Sequence, residues 1–152
     1  MKKMTLKSVL VWVVVIWMAP VMNSCSLEDE PVAFHFLNLR IVNVEMPESF
    51  DIYQSYPIKV TYIKPSNCTY FEGFDFTKDQ PTTISVVAVG SALDNASCAP
   101  VEAEVVEYFT FTCNYHDAYT FRFWTGEDGD GNAQFLEYDV PVNPSANMGI
   151  KY

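Results

Sequence analysis

The sequence predicts an all-β fold, a single sandwich of about seven short strands, and three observations predict it. Apolar and aromatic runs recur along the chain with Pro, Gly, Asn and Ser clusters between them. Within several runs apolar and polar residues alternate with the period of two expected of a half-buried strand. Beyond the amino-terminal region no stretch carries a helical period. Aromatic residues make up 15% of the chain, a share that suits packed sheet surfaces better than a disordered stalk.

Taken in order, the folded part opens with Pro31 to Met46, where Leu37, Leu39 and Ile41 alternate with Asn38 and Arg40, and Pro47-Glu48-Ser49 breaks the run. Pro57 to Lys64 is the next expected strand, with Ile58, Val60 and Tyr62 inward against Lys59 and Thr61. Pro65-Ser66-Asn67 turns the chain, and Phe71-Glu72-Gly73-Phe74 reads as a loop with aromatic plugs. Thr82 to Val89 is dominated by β-branched residues and is expected deep between two sheets. Gly90 to Pro100 is a polar connection. Glu104 to Cys113 and Ala118 to Thr125 give the strongest strand signals, and Phe135 to Val142 closes the domain before Asn143-Pro144. Asp117-Ala118-Tyr119, just ahead of Phe121 and Phe123 on the same parity, resembles the tyrosine corner of immunoglobulin-like sandwiches. The resemblance implies an immunoglobulin-like version of the fold.

The amino terminus sets the address. Lys2, Lys3 and Lys7 precede an apolar run from Val9 to Ala19 that stops at Pro20. Such a run is well short of the roughly 20 residues that span a bilayer, so it reads as a secretory signal over residues 1–24. Ser24-Cys25 at the junction resembles the lipobox of bacterial lipoproteins, although Met22 and Asn23 depart from its commonest form. The resemblance implies acylation of Cys25. Ser26-Leu27-Glu28-Asp29-Glu30 follows directly and resembles the acidic export tag of Bacteroidetes-type surface lipoproteins. Residues 25–32 then form an acidic tether, 33–144 the sandwich and 145–152 a carboxy-terminal tail. The implied location is the outer membrane, lipid-anchored and exposed at the cell surface, with a periplasm-facing orientation as the alternative.

Charge excludes one class of partner. The formal net charge of −10 becomes −13 once the three lysines of the signal are removed. Phosphate backbones would be repelled, so nucleic acid is not expected as a partner. Three cysteines remain after Cys25, and an exported chain meets oxidising conditions. Cys68 follows a turn and Cys98 lies in a polar loop, whereas Cys113 shares parity with Phe109 and Phe111 and should point inward. A Cys68–Cys98 bridge is therefore favoured over the other two pairings.

Candidate chemistry is sparse. In Glu127-Asp128-Gly129-Asp130-Gly131-Asn132, the side chains of Asp128, Asp130 and Asn132 fall at alternate positions as a calcium loop would need, but the distal glutamate is missing. Asp-Gly and Gly-Asn are also ordinary hairpin chemistry, and the turn is the favoured reading. Trp124 falls on the face opposite Tyr119, Phe121 and Phe123. If the two strongest strands were neighbours, Tyr108, Arg122 and Trp124 would form an aromatic and cationic patch able to stack on a sugar or hold a protein. The bland alternative packs Trp124 under the segment around Phe71 to Phe76.

Lipobox, acidic tether and single sandwich together resemble the small immunoglobulin-like lipoproteins of Bacteroidetes-type outer membranes. The resemblance implies a non-catalytic binding or assembly module with a glycan or envelope-protein ligand, membrane contact through the lipid and no cofactor. The alternatives are a small hydrolase using paired carboxylates and a structural protein stabilised by calcium.

Overall fold

The structure is a computed structural model, and it describes residues 33–94 and 97–144. The expected signal over residues 1–24, Cys25, the expected acidic tether up to residue 32 and the tail 145–152 lie outside the described residues. Eight strands follow in order: β1 (Phe34–Leu39), β2 (Ile41–Glu45), β3 (Ser55–Ser66), β4 (Thr69–Gln80), β5 (Thr83–Leu93), β6 (Pro100–Thr112), β7 (Tyr119–Glu127) and β8 (Ala133–Val140). They form two sheets. One holds β2, β3 and β6 in that order; the other holds β4, β5, β7 and β8, with β1 also paired to β5. Among the described residues no helix is long and apolar enough to cross a membrane.

The expected first strand is two. Leu37, Leu39 and Ile41 keep their alternation, but Arg40 carries the chain from one sheet to the other, so β1 pairs with β5 and β2 with β3. The inward parity survives the crossing, since Leu39, Ile41 and Val44 are all buried. Phe71 to Phe74 is also different from expectation: it belongs to β4, not to a loop. A register shift between Phe71 and Gly73 places Phe71 opposite Gly90 and Phe74 opposite Ala88. That bulge puts two inward rings three residues apart, which hides the period of two.

β5 is the spine of its sheet. Ile84, Val86, Ala88 and Gly90 face the core, and β4 pairs along one edge. Its other edge is shared: Thr83 to Val86 pair in parallel with β7, and Ala88 to Leu93 pair antiparallel with β1. Its outward residues are half-buried, so it is a sheet interior rather than a strand covered on both sides. Gly90 sits where backbones close in; a Cβ there would lie 2.8 Å from the Tyr70 carbonyl and 2.9 Å from Leu39.

The three-strand sheet, in the order β2-β3-β6, is compatible with the A-B-E neighbours of one immunoglobulin sheet if β2, β3 and β6 take those places. The second sheet departs from that pattern, because the later arm of the β4–β5 hairpin lies beside β7 and pairs with it in parallel. The tyrosine corner is present. Tyr119 is buried, and its hydroxyl accepts from the backbone N–H of Asn114 and of Tyr115, each at 3.0 Å. Burial pushes its phenol pKa up, so the group stays neutral and able to accept. Tyr119→Phe removes the acceptor of both amides while keeping the ring. We expect a loss of roughly 1–3 kcal/mol in urea unfolding, and an unchanged midpoint would mean the corner contributes nothing.

The core is aromatic. Tyr119, Phe121 and Phe123 on β7 face inward, as their alternation predicts. From the opposite sheet Phe111 meets Tyr119 and Phe121, at 4.9 and 5.0 Å, and Phe109 meets Phe123. Phe50, between β2 and β3, fills the middle of this cluster, and its backbone bonds with Pro141 and Asn143 to tie down the carboxy-terminal edge.

Candidate functional site

On the side of the sandwich bounded by β4 and β6, each sheet ends in an edge strand. β6 pairs with β3 on one edge, and among the described residues nothing pairs with its other edge. Its first half is guarded against strand addition. Pro100 lacks a donor, Glu102 is kinked to a φ of 45°, and Glu102, Glu104 and Glu107 add negative charge. The second half, Tyr108 to Thr112, carries none of these devices.

Beside that half lies a groove of ≈ 330 Å³. Phe76, Phe109, Phe111 and Tyr115 are its principal walls, with Phe121 at the base and Lys78 at the rim. The wall rings are fixed by packing rather than by hydrogen bonds. Phe109 touches Phe74 and Phe76 across the two sheets at centroid distances of 5.4 and 5.1 Å. Phe76 and Tyr115 remain almost half exposed, an unusual state for large rings lining one groove. No carboxylate lines the groove, so it offers no general acid or base for glycoside chemistry. What it can do is bind apolar or flat groups, alongside main-chain donors and acceptors on the free edge.

The sequence-derived patch does not assemble. Tyr108 projects from the outer face of the three-strand sheet, while Arg122 and Trp124 lie on the outer face of the other. The strands carrying them are not neighbours, because β7 pairs with β5 and β8. Arg122 is already engaged: its Nε donates to Glu137 at 2.9 Å, and its guanidinium sits 4.3 Å from the Phe135 ring centroid. Trp124 is half-buried with Phe135 as its cross-strand partner. Phe71, Phe74 and Phe76 do not cover it, since their rings turn inward to Tyr62 and Phe109.

Asp128, Asp130 and Asn132 form the β7–β8 hairpin turn. Asp128 Oδ1 accepts from the backbone N–H of Asp130 and of Asn132, each at 2.9 Å, and Oδ2 accepts from Gln134 Nε2 at 3.1 Å. These donors, led by the Asn132 amide, hold the Asp128 carboxyl below its usual pKa. Gly131, at a φ of 84°, makes the reversal that a side chain would resist. Asp128 therefore acts as the loop's internal acceptor. Among the described residues no group of three or more His, Cys, Asp or Glu is arranged to hold a metal.

Cys68 and Cys98 are bridged, with Cα atoms 5.4 Å apart. Cys113 is free and fully buried, as its parity predicts. Burial raises its thiol pKa, the reverse of what an activated nucleophile needs, and the thiol donates to the Tyr115 carbonyl at 3.4 Å.

Sequence reasoning missed the groove. Its walls come from β4, β6 and the β6–β7 connection, and the unassigned β4 removed one of them. No family model, curated protein or solved structure matches the chain.

Proposed function

We propose that this chain is a lipid-anchored, non-catalytic binding or assembly module of a bacterial outer membrane, held through an acylated Cys25 and exposed at the cell surface. The signal, the Ser24-Cys25 junction and the acidic Glu28-Asp29-Glu30 cluster support the address. The observation that carries the binding role is the apolar groove alongside the unguarded half of β6. Unpaired main-chain groups next to an aromatic trough suit an extended protein segment, whose backbone adds to the edge while alternate side chains enter the groove. This favours an envelope protein over a glycan as the ligand.

The test is a pull-down from envelope extract together with a glycan screen, using the purified full chain and its Phe76→Ala and Tyr115→Ala variants. Both positions are exposed, so the variants should fold. A loss of affinity of about tenfold or more in each is expected. Partner capture that is indifferent to both substitutions removes the groove from the proposal. Saturable glycan binding lost in the same variants would give the groove to a sugar instead.

A further inference from the structure

A second apolar surface lies at the other end of the molecule, on the outer face of the β5 sheet. Phe34 and Phe36 on β1 are 55% and 65% exposed and meet edge to face, with ring centroids 5.5 Å apart. Tyr70 on β4 is 52% exposed and faces the same way, since Phe36 and Tyr70 both pair with Ser91 from opposite sides of β5. Leu93, paired with Phe34, extends the apolar row. Three large exposed rings at one end of one face are more than scattered surface apolarity explains.

Charge is arranged around this end. Lys64 Nζ lies 5.7 Å over the Tyr70 ring, leaving a cation beside the aromatics. The nearby carboxylates are engaged: Glu72 accepts from Ser91 Oγ, and Asp94 pairs with His35 at 2.7 Å. Towards the other end the same face turns polar, with Thr120 bonded to Asp139 and Arg122 to Glu137. Apolar rings beside an amphipathic tyrosine and a flanking lysine are what a membrane–water interface accommodates.

Position identifies the occupant. Ala33, which starts the described chain, enters β1 directly at Phe34. Eight peptide steps separate Cys25 from Ala33, a reach of at most about 28 Å even fully extended. Thr83 and Leu93 at the two ends of β5 are ten strand steps apart, about 33 Å. The tether therefore joins the domain at its aromatic end, through β1, while the groove, lined by Ile84 and Tyr119, belongs to the far end.

We infer that Phe34, Phe36 and Tyr70 seat against the lipid headgroup boundary and stand the domain on the membrane with the groove outward. This rests on the anchor reading above. The experiment uses full-length protein purified from membranes of a lipoprotein-exporting bacterium and reconstituted in vesicles of phosphatidylethanolamine and brominated phosphatidylcholine. Phe36→Trp reports on the patch, Tyr108→Trp on the outer face of the other sheet, and the unsubstituted chain supplies the Trp124 background. Emission from position 36 should shift to the blue and be quenched at least about twofold more than emission from position 108. Equal, weak quenching at both positions, in protein whose mass confirms acylated Cys25, overturns the lipid-facing patch and leaves the anchor intact. A bare Cys25 overturns the anchor and the patch with it. Shielding of position 36 in native membranes but not in these vesicles assigns the face to a protein partner and likewise overturns the inference.

Discussion

Phe50→Ala should cost about 3–5 kcal/mol of folding stability, the range seen when a large buried ring is deleted and its cavity only partly collapses. Phe50 has no exposed surface. Its ring lies 4.9 Å from both Tyr56 and Phe111, 5.9 Å from Tyr119 and 6.1 Å from Phe121, so truncation empties the point where the two sheets meet. The backbone bonds of this position, from the Asn143 N–H to its carbonyl at 2.7 Å and from its own N–H to Pro141 at 2.9 Å, survive the substitution, so the expected loss is that of the ring. A domain of this size has only about 5–15 kcal/mol in total. Phe36→Ala is the control, removing an exposed ring at a cost within about 0.5 kcal/mol. Urea unfolding of both variants decides the matter; similar midpoints would mean that Phe50 is not a core residue.

Removing the Cys68–Cys98 bridge comes next in size. It closes a separation of 30 residues, and in the chain-entropy model such a loop stabilises by about 3–4 kcal/mol. The bridge pins the β3–β4 turn to the connection ahead of β6. Two hydrogen bonds join the same segments, from Asn67 N–H to the Ala99 carbonyl at 3.0 Å and from Ala99 N–H to Asn67 Oδ1 at 2.9 Å. These bonds remain in a Cys68→Ala/Cys98→Ala double variant, so the native arrangement should persist at reduced stability. The expected fall in Tm is on the order of 10–15 °C, read by calorimetry with and without reductant. Reductant should lower the Tm of the unsubstituted chain to that of the variant and leave the variant unmoved. A variant as stable as the parent would show that the bridge constrains nothing the fold does not already hold.

The parts legible in the sequence are those where one face of a strand meets one core. Tyr119, Phe121 and Phe123 announce β7 because every second residue is large and apolar, and Cys113 could be placed inward by counting from Phe109 and Phe111. The bridge followed from two cysteines in loops and one on a core parity. Other parts were hidden for physical reasons. The bulge at Gly73 disrupts the alternation of β4, so the strand reads as a loop. Arg40 switches sheets without changing parity, so one run conceals two strands. Parity also says which face a side chain takes but not which sheet carries the strand. That is why Tyr108 and Trp124 seemed able to meet, and why the groove at Phe76, Phe109 and Tyr115 could not be foreseen. Phe50 stood alone after a Pro-Glu-Ser break with no period to give it away.

The parallel pairing of β5 with β7 has a consequence for how the chain assembles. The β4–β5 and β7–β8 hairpins close over short distances and can zip early. Joining them cannot be local, because β6 must first travel across to the opposing sheet and return before β7 can settle against Thr83 to Val86. Loop-closure entropy is therefore met before those contacts form, which places the domain among slow folders on the millisecond-to-second scale. Until that step is complete the inner rings of β7 are uncovered. A newly synthesised chain thus passes through an interval in which the aromatic face of β7 is not yet housed.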